Sequence, residues 1–105
     1  LKPSIRYFEL VITEIYNLLK SCYDGKNTTI KLKNVLSKIS FKLYDSFLGF
    51  VSSYYDLGNR ENLKLTNDVI FDFNNEKDFY KCIIYYISGM TDKFAIEIYN
   101  DIIGF

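Results

Sequence analysis

Phe79-Tyr80-Lys81-Cys82-Ile83-Ile84-Tyr85-Tyr86-Ile87-Ser88-Gly89-Met90-Thr91-Asp92-Lys93-Phe94-Ala95 decides how this chain is read. Phe79, Cys82, Ile83, Tyr86, Ile87 and Met90 recur at steps of three and four, which places them on one face of a helix. Ser88-Gly89 interrupts the run. Thr91 can then cap a new segment through its side-chain oxygen, with Asp92 in the favourable first turn. Phe94, Ala95, Ile98, Tyr99 and Ile102 give that segment its own apolar stripe, and Gly104 ends it. The stretch is a junction between two amphipathic helices, so the chain is expected to be all-α.

The N-terminal part follows the same logic. Pro3 is tolerated in a first helical turn. Ile5, Phe8, Ile12, Ile15, Leu19 and Cys22 form one stripe, which predicts a helix over 4–23. Gly25 stops it, in the left-handed conformation that glycine adopts without penalty. Thr28 or Thr29 is placed to cap the next helix. Leu32, Leu36, Ile39, Leu43, Phe47, Phe50 and Tyr54 make its stripe. Phe41, Tyr44, Leu48, Val51 and Tyr55 add a second one, so the helix is expected to be central and buried on two faces. Ser37 and Ser40 are the positions where it can break in two. Asn74-Asn75 caps the helix that runs into the junction.

Residues 60–75 read differently. Leu63, Leu65, Val69, Phe71 and Phe73 alternate with mostly polar neighbours, which is strand-like. Ile30-Lys31-Leu32-Lys33-Asn34 is similar to Leu63-Lys64-Leu65-Thr66-Asn67, and a hairpin between them is one option. Chance similarity in a Lys/Asn/Leu-rich chain is preferred, with this region a packed loop holding at most one helical turn or a short strand. The expected architecture is a single domain over 1–105, a small bundle of three to five helices.

Composition bounds the chemistry. The 105 residues suit one domain, and a chain of this size buries about 65% of its unfolded surface. Thirteen basic residues balance thirteen acidic ones. No global field exists to hold nucleic acid or an anionic membrane. No apolar run reaches the roughly 18 residues of a membrane span, and no signal peptide is recognised. Ten Tyr and nine Phe exceed what a small core comfortably hides. Either some rings form a contact surface, or the composition reflects an AT-rich genome. Cys22 and Cys82 both sit on apolar stripes and are expected as buried free thiols in a reducing cytoplasm. Their spacing alone leaves a disulfide open. The opening Leu1 is read as the start of a segment of a longer protein.

The absence of histidine removes Ser-His-Asp and Cys-His nucleophile sites and every histidine-containing metal centre. The five glycines are isolated, so no phosphate loop can be built. Asp68/Asp72 and Glu97/Asp101 have the spacing of neighbours on a helix, and Asp92 is near Glu97, but spacing brings no set of carboxylates together. Lys31, Lys33, Lys38 and Lys42 are the candidate phosphate or nucleotide contacts. At zero net charge an ordinary solvated face is the preferred reading of them.

Tyr86-Ile87-Ser88-Gly89-Met90-Thr91-Asp92-Lys93-Phe94-Ala95 resembles the C-terminal motif of bacterial deoxyguanosine triphosphate triphosphohydrolases, which reads approximately D-Y-I-A-G-M-T-D-R-Y-A. Ile96, Ile98 and Tyr99 continue that pattern, and the likeness covers about fifteen residues. Tyr85 stands where the family has Asp, Ser88 replaces Ala, and Lys93-Phe94 replaces Arg-Tyr. Tyr86, Gly89, Met90, Thr91, Asp92 and Lys93 are the motif positions carried over. The resemblance implies the helical, phosphohydrolase-associated C-terminal part of an HD-superfamily enzyme. That parent would split a deoxynucleoside triphosphate into deoxynucleoside and triphosphate. Its divalent metal would lie in an N-terminal HD domain, leaving this chain without a cofactor and with a scaffold role. The implied partners are that HD domain and further copies of the protein. Gly89 is expected to permit close helix approach, Met90 to fill a gap, and Thr91 and Asp92 to satisfy backbone donors. The functional alternative is that Asp92 or Lys93 faces the catalytic half or a nucleotide between subunits. From a different class comes a free-standing helical interaction module with an exposed aromatic surface.

Overall fold

The computed structural model describes residues 3–54, 71, 73 and 75–104, with the first and last two of 3–54 described by backbone alone. Five α-helices follow in order: α1 (Pro3–Lys20), α2 (Thr28–Ile39), α3 (Phe41–Tyr54), α4 (Glu76–Ser88) and α5 (Asp92–Gly104). A single 3₁₀ turn, Gly25–Asn27, leads into α2. The all-α bundle is as expected. α1 packs against both α4 and α5, α2 against α3, and α3 against α4.

α1 ends three residues before the expected 23. Its last turn tightens: Cys22 N–H donates to Leu19 C=O at 3.1 Å and Tyr23 N–H to Lys20 C=O at 3.2 Å. Such three-residue closures are how helix ends satisfy leftover carbonyls. Gly25 takes the left-handed conformation at φ 53°. The Thr28 hydroxyl does not cap α2. It accepts from Asp24 N–H at 2.8 Å and donates to Gly25 C=O at 2.8 Å, tying together the loop that precedes it.

The long apolar stretch breaks at Ser40, one of the two serines expected to break it. Ser40 is extended, at φ −155° and ψ 99°. Its N–H closes α2 on Leu36 C=O at 2.7 Å, and its oxygen accepts from Leu43 N–H at 3.2 Å to open α3. Asn75 caps α4, its Oδ1 accepting from Asp78 N–H at 3.2 Å. Ile30–Asn34 lies inside α2, so it does not form the hairpin considered for it. Most of 60–75 lies outside the described residues, but Phe71 and Phe73 are buried, as their odd positions in the alternation require.

The core contains Val11, Ile15, Leu19, Leu36, Leu43, Phe47, Phe79, Ile83 and Ile98, with both cysteines buried and unpaired beside them. Rings pack edge-on through its centre: Phe79 on Phe73 at 5.0 Å and on Phe47 at 6.5 Å, and Phe47 on Tyr86 at 5.0 Å. Such edge-to-face pairs contribute about 0.5–1.5 kcal/mol each beyond area burial. This network takes up four of the chain's nineteen Tyr and Phe rings.

Two expected apolar stripes are buried only in part. Ile5 is 66% exposed. The buried line of α1 runs through Val11, Ile15 and Leu19, and Ile5 lies to one side of it. α3 buries Leu43, Phe47 and Val51, but Phe41 is 64% exposed and Leu48 is exposed as well. The second stripe of α3 is therefore covered only in part: Val51 is buried and Tyr44 packs against the core, while Phe41 and Leu48 stay at the surface.

Candidate functional site

The α4–α5 junction is held by four local bonds. Gly89 N–H donates to Tyr86 C=O at 3.2 Å, and Met90 N–H to Ile87 C=O at 3.0 Å. Thr91 Oγ1 accepts from Phe94 N–H at 3.2 Å, and Ala95 N–H donates to Thr91 C=O at 3.0 Å. Thr91 is thus the cap expected of it. Asp92 opens α5 with its carboxylate at the positive end of the helix dipole. Asp92 and Lys93 are exposed.

Tyr86 is 7% exposed and is the motif's anchor in the core. Its hydroxyl donates to Ser46 Oγ at 2.7 Å, and its ring meets Phe50 at 5.4 Å as well as Phe47. Burial raises its pKa, partly offset by the bond to Ser46. Tyr85, where the resembled motif has Asp, is 54% exposed, with its ring edge-on to Phe71 at 5.4 Å.

Gly89 corrects one expectation. It sits at φ −94° and ψ 2°, open to any L-residue, and a Cβ there would meet nothing closer than Tyr86 C=O at 3.9 Å among the described residues. Among the described residues no neighbouring helix approaches it closely. It instead lines a cleft of about 390 Å³ with Ser46, Phe50, Tyr86, Met90, Thr91 and Phe94. Met90 is half-buried against the core, as a gap-filler should be.

Two further hollows lie on the α1 side of the junction. One, of about 590 Å³, is lined by Ile5, Phe8, Ile12, Asp92 and Ile96 among others. The other, of about 350 Å³, is lined by Ile12, Tyr16, Ile84 and Ile87 with Thr13 and Ser88. Both are mainly apolar.

The candidate phosphate contacts are not gathered into one cradle. Lys31, Lys33 and Lys38 are exposed on α2. Lys31 and Lys38 lie seven positions apart on one side of that helix, and Lys33 lies two positions from Lys31, on another. Lys42, on α3, is paired with Glu97 at 3.1 Å. Glu97 is therefore spent on Lys42, and Asp101 accepts from Ser40 at 2.6 Å, so these two acids do not converge with Asp92. Asp68/Asp72 lies outside the described residues. No group of three or more His, Cys, Asp or Glu able to hold a metal occurs among the described residues. No described helix is long and apolar enough to cross a membrane.

Ser46 and Phe50 were not singled out as site residues. They come from α3, and nothing local in the sequence marks them as neighbours of Tyr86. No family model, curated protein or solved structure matches the chain.

Proposed function

We propose that the chain is a helical scaffold that works by contact. The kind of scaffold is the C-terminal, phosphohydrolase-associated part of a dGTP triphosphohydrolase-like HD enzyme. The observation that supports it is the use of the motif residues. Tyr86 anchors α4 in the core, Thr91 caps α5, and Asp92 favours the start of α5, so each has a structural task. The assignment to this family rests on the resemblance of Tyr86–Ala95. In this reading the divalent metal belongs to an N-terminal HD domain, and the protein is cytoplasmic. Its partners are that HD domain and further copies of itself, with no role for nucleic acid.

A second reading rests on the apolar hollows beside α1 and the exposed rings of Phe41 and Tyr85. Here the chain is a free-standing helical interaction module.

The test has two arms. The purified chain is assayed for triphosphate release from dGTP with magnesium or manganese, and its mass is followed by light scattering over a concentration series. Self-association without hydrolysis is expected. Hydrolysis by the chain alone overturns the scaffold role, and a strict monomer overturns the oligomer contact. A gene encoding no HD motif upstream removes the parent enzyme and leaves the interaction module.

A further inference from the structure

The cleft at the junction has more order than a gap between helices needs. Its walls are the rings of Phe50, Tyr86 and Phe94 and the thioether of Met90. Two hydroxyls open onto it. Ser46 Oγ is occupied as an acceptor by the Tyr86 hydroxyl, and Thr91 Oγ1 by the Phe94 amide. Among the described residues neither hydroxyl has a protein acceptor for its own proton. Each is therefore a donor available to a molecule in the cleft. Among the described residues of the lining there is no lysine or arginine to serve as counter-ion for a full negative charge.

Gly89 supplies an independent observation. Its backbone conformation and its surroundings both accept a side chain. What a side chain at this position would change is the cleft, which Gly89 lines. A bare residue here keeps the cleft open. The volume of about 390 Å³ falls within the range of small-molecule sites.

We propose that this cleft binds a small, flat, uncharged aromatic molecule carrying a carbonyl group. The ring stacks among Phe50, Tyr86 and Phe94, and the carbonyl oxygen accepts from Ser46 and Thr91. The aromatic walls select a flat apolar body, and the two donors select an acceptor. With no lysine or arginine among the described residues of the lining, a carboxylate would be desolvated without a partner from them.

The test uses acetophenone as the probe and ethylbenzene as the same shape without the carbonyl. Backbone amide shifts of the isotope-labelled chain are followed during titration with each. Saturable shifts centred on Gly89, Met90 and Thr91 are expected for acetophenone, with ethylbenzene binding about three- to tenfold more weakly, the worth of a neutral hydrogen bond. Gly89→Leu, its fold checked by circular dichroism, should abolish both. Should that variant fail to fold, Ser46→Ala serves instead and should narrow the difference between the two probes. No saturable shift at the junction overturns the site. Equal affinity for the two probes overturns the carbonyl assignment. Unchanged acetophenone binding in folded Gly89→Leu overturns the location.

Discussion

Ser40 Oγ lies 2.6 Å from Asp101 Oδ2, across 61 residues of sequence, while the same oxygen accepts from Leu43 N–H. One buried hydroxyl thus caps α3 and ties it to α5. Ser40→Ala removes both interactions and leaves the Asp101 carboxylate without its donor. Caps cost about 0.5–2 kcal/mol when removed, and a hydrogen bond to a charged group contributes about 1.5–3 kcal/mol. The expected loss is about 2 kcal/mol, read from the urea midpoint. Lys42→Ala breaks an ion pair between the same helices that is well exposed, and should cost about 0.5 kcal/mol or less. Equal losses for the two variants would show that the Ser40 bond is not the tie described.

Phe79 is fully buried and meets Phe73, Phe47 and Tyr23. Phe79→Ala should cost about 3–5 kcal/mol through lost burial and the cavity left behind. In a domain of ordinary stability that takes most of the margin. Tyr86→Phe keeps the ring packing and removes only the bond to Ser46, for about 1 kcal/mol. Thermal melts of the two variants measure the contrast.

The loop before α2 depends on Thr28 and Gly25. Thr28→Val keeps the shape and the backbone N–H bond of residue 28 to Gly25 C=O, but leaves Asp24 N–H without its partner, at about 1–3 kcal/mol. Gly25→Ala forces a side chain into φ 53° and should cost about 1–2 kcal/mol. Chemical denaturation of each checks these values. A Gly25→Ala variant as stable as the parent would mean that the loop takes another conformation.

Burial pushes the Cys82 thiol up to about 12 from its ordinary 9.0, and the Cys22 thiol upward too, against a smaller lowering by Ser21 and Lys31. Alkylation by iodoacetamide at pH 8 should therefore be slow for both in the folded chain and fast in urea, since the thiolate is the nucleophile. The sign for stability follows from the raised folded values. The thiols' contribution is full below about 9 and is lost as pH climbs through the window towards about 12. Urea midpoints should fall across that window, and a Cys82→Ala variant should lose part of the fall.

Much of the fold is legible in local residue order. The break at Ser40, the caps at Asn75 and Thr91 and the left-handed Gly25 were all expected. The rotation of the helices was less so. Ile5 and Phe41 fit apolar stripes yet stand in solvent, because periodicity marks a face without showing whether anything covers it. Thr28 has the right chemistry for a cap, but its hydroxyl turns back to the loop. At the junction, Tyr86 and Thr91 belong to the resembled motif, while Phe50 carries only its place on an apolar stripe and Ser46 carries no signal.

Sequence by itself determined the helical class, the caps and breaks that separate the helices to within a few residues, and the absence of histidine chemistry. These depend on groups within about four residues of one another, or on residues that are simply missing. Only the tertiary structure decided that Ser40 meets Asp101, that Tyr86 meets Ser46, and that Lys42 takes Glu97. It also decided that Gly89 borders a cleft rather than a helix contact. Those outcomes depend on how each helix is turned about its axis and where it crosses its neighbours. A period of 3.6 residues leaves both undetermined until the core packs.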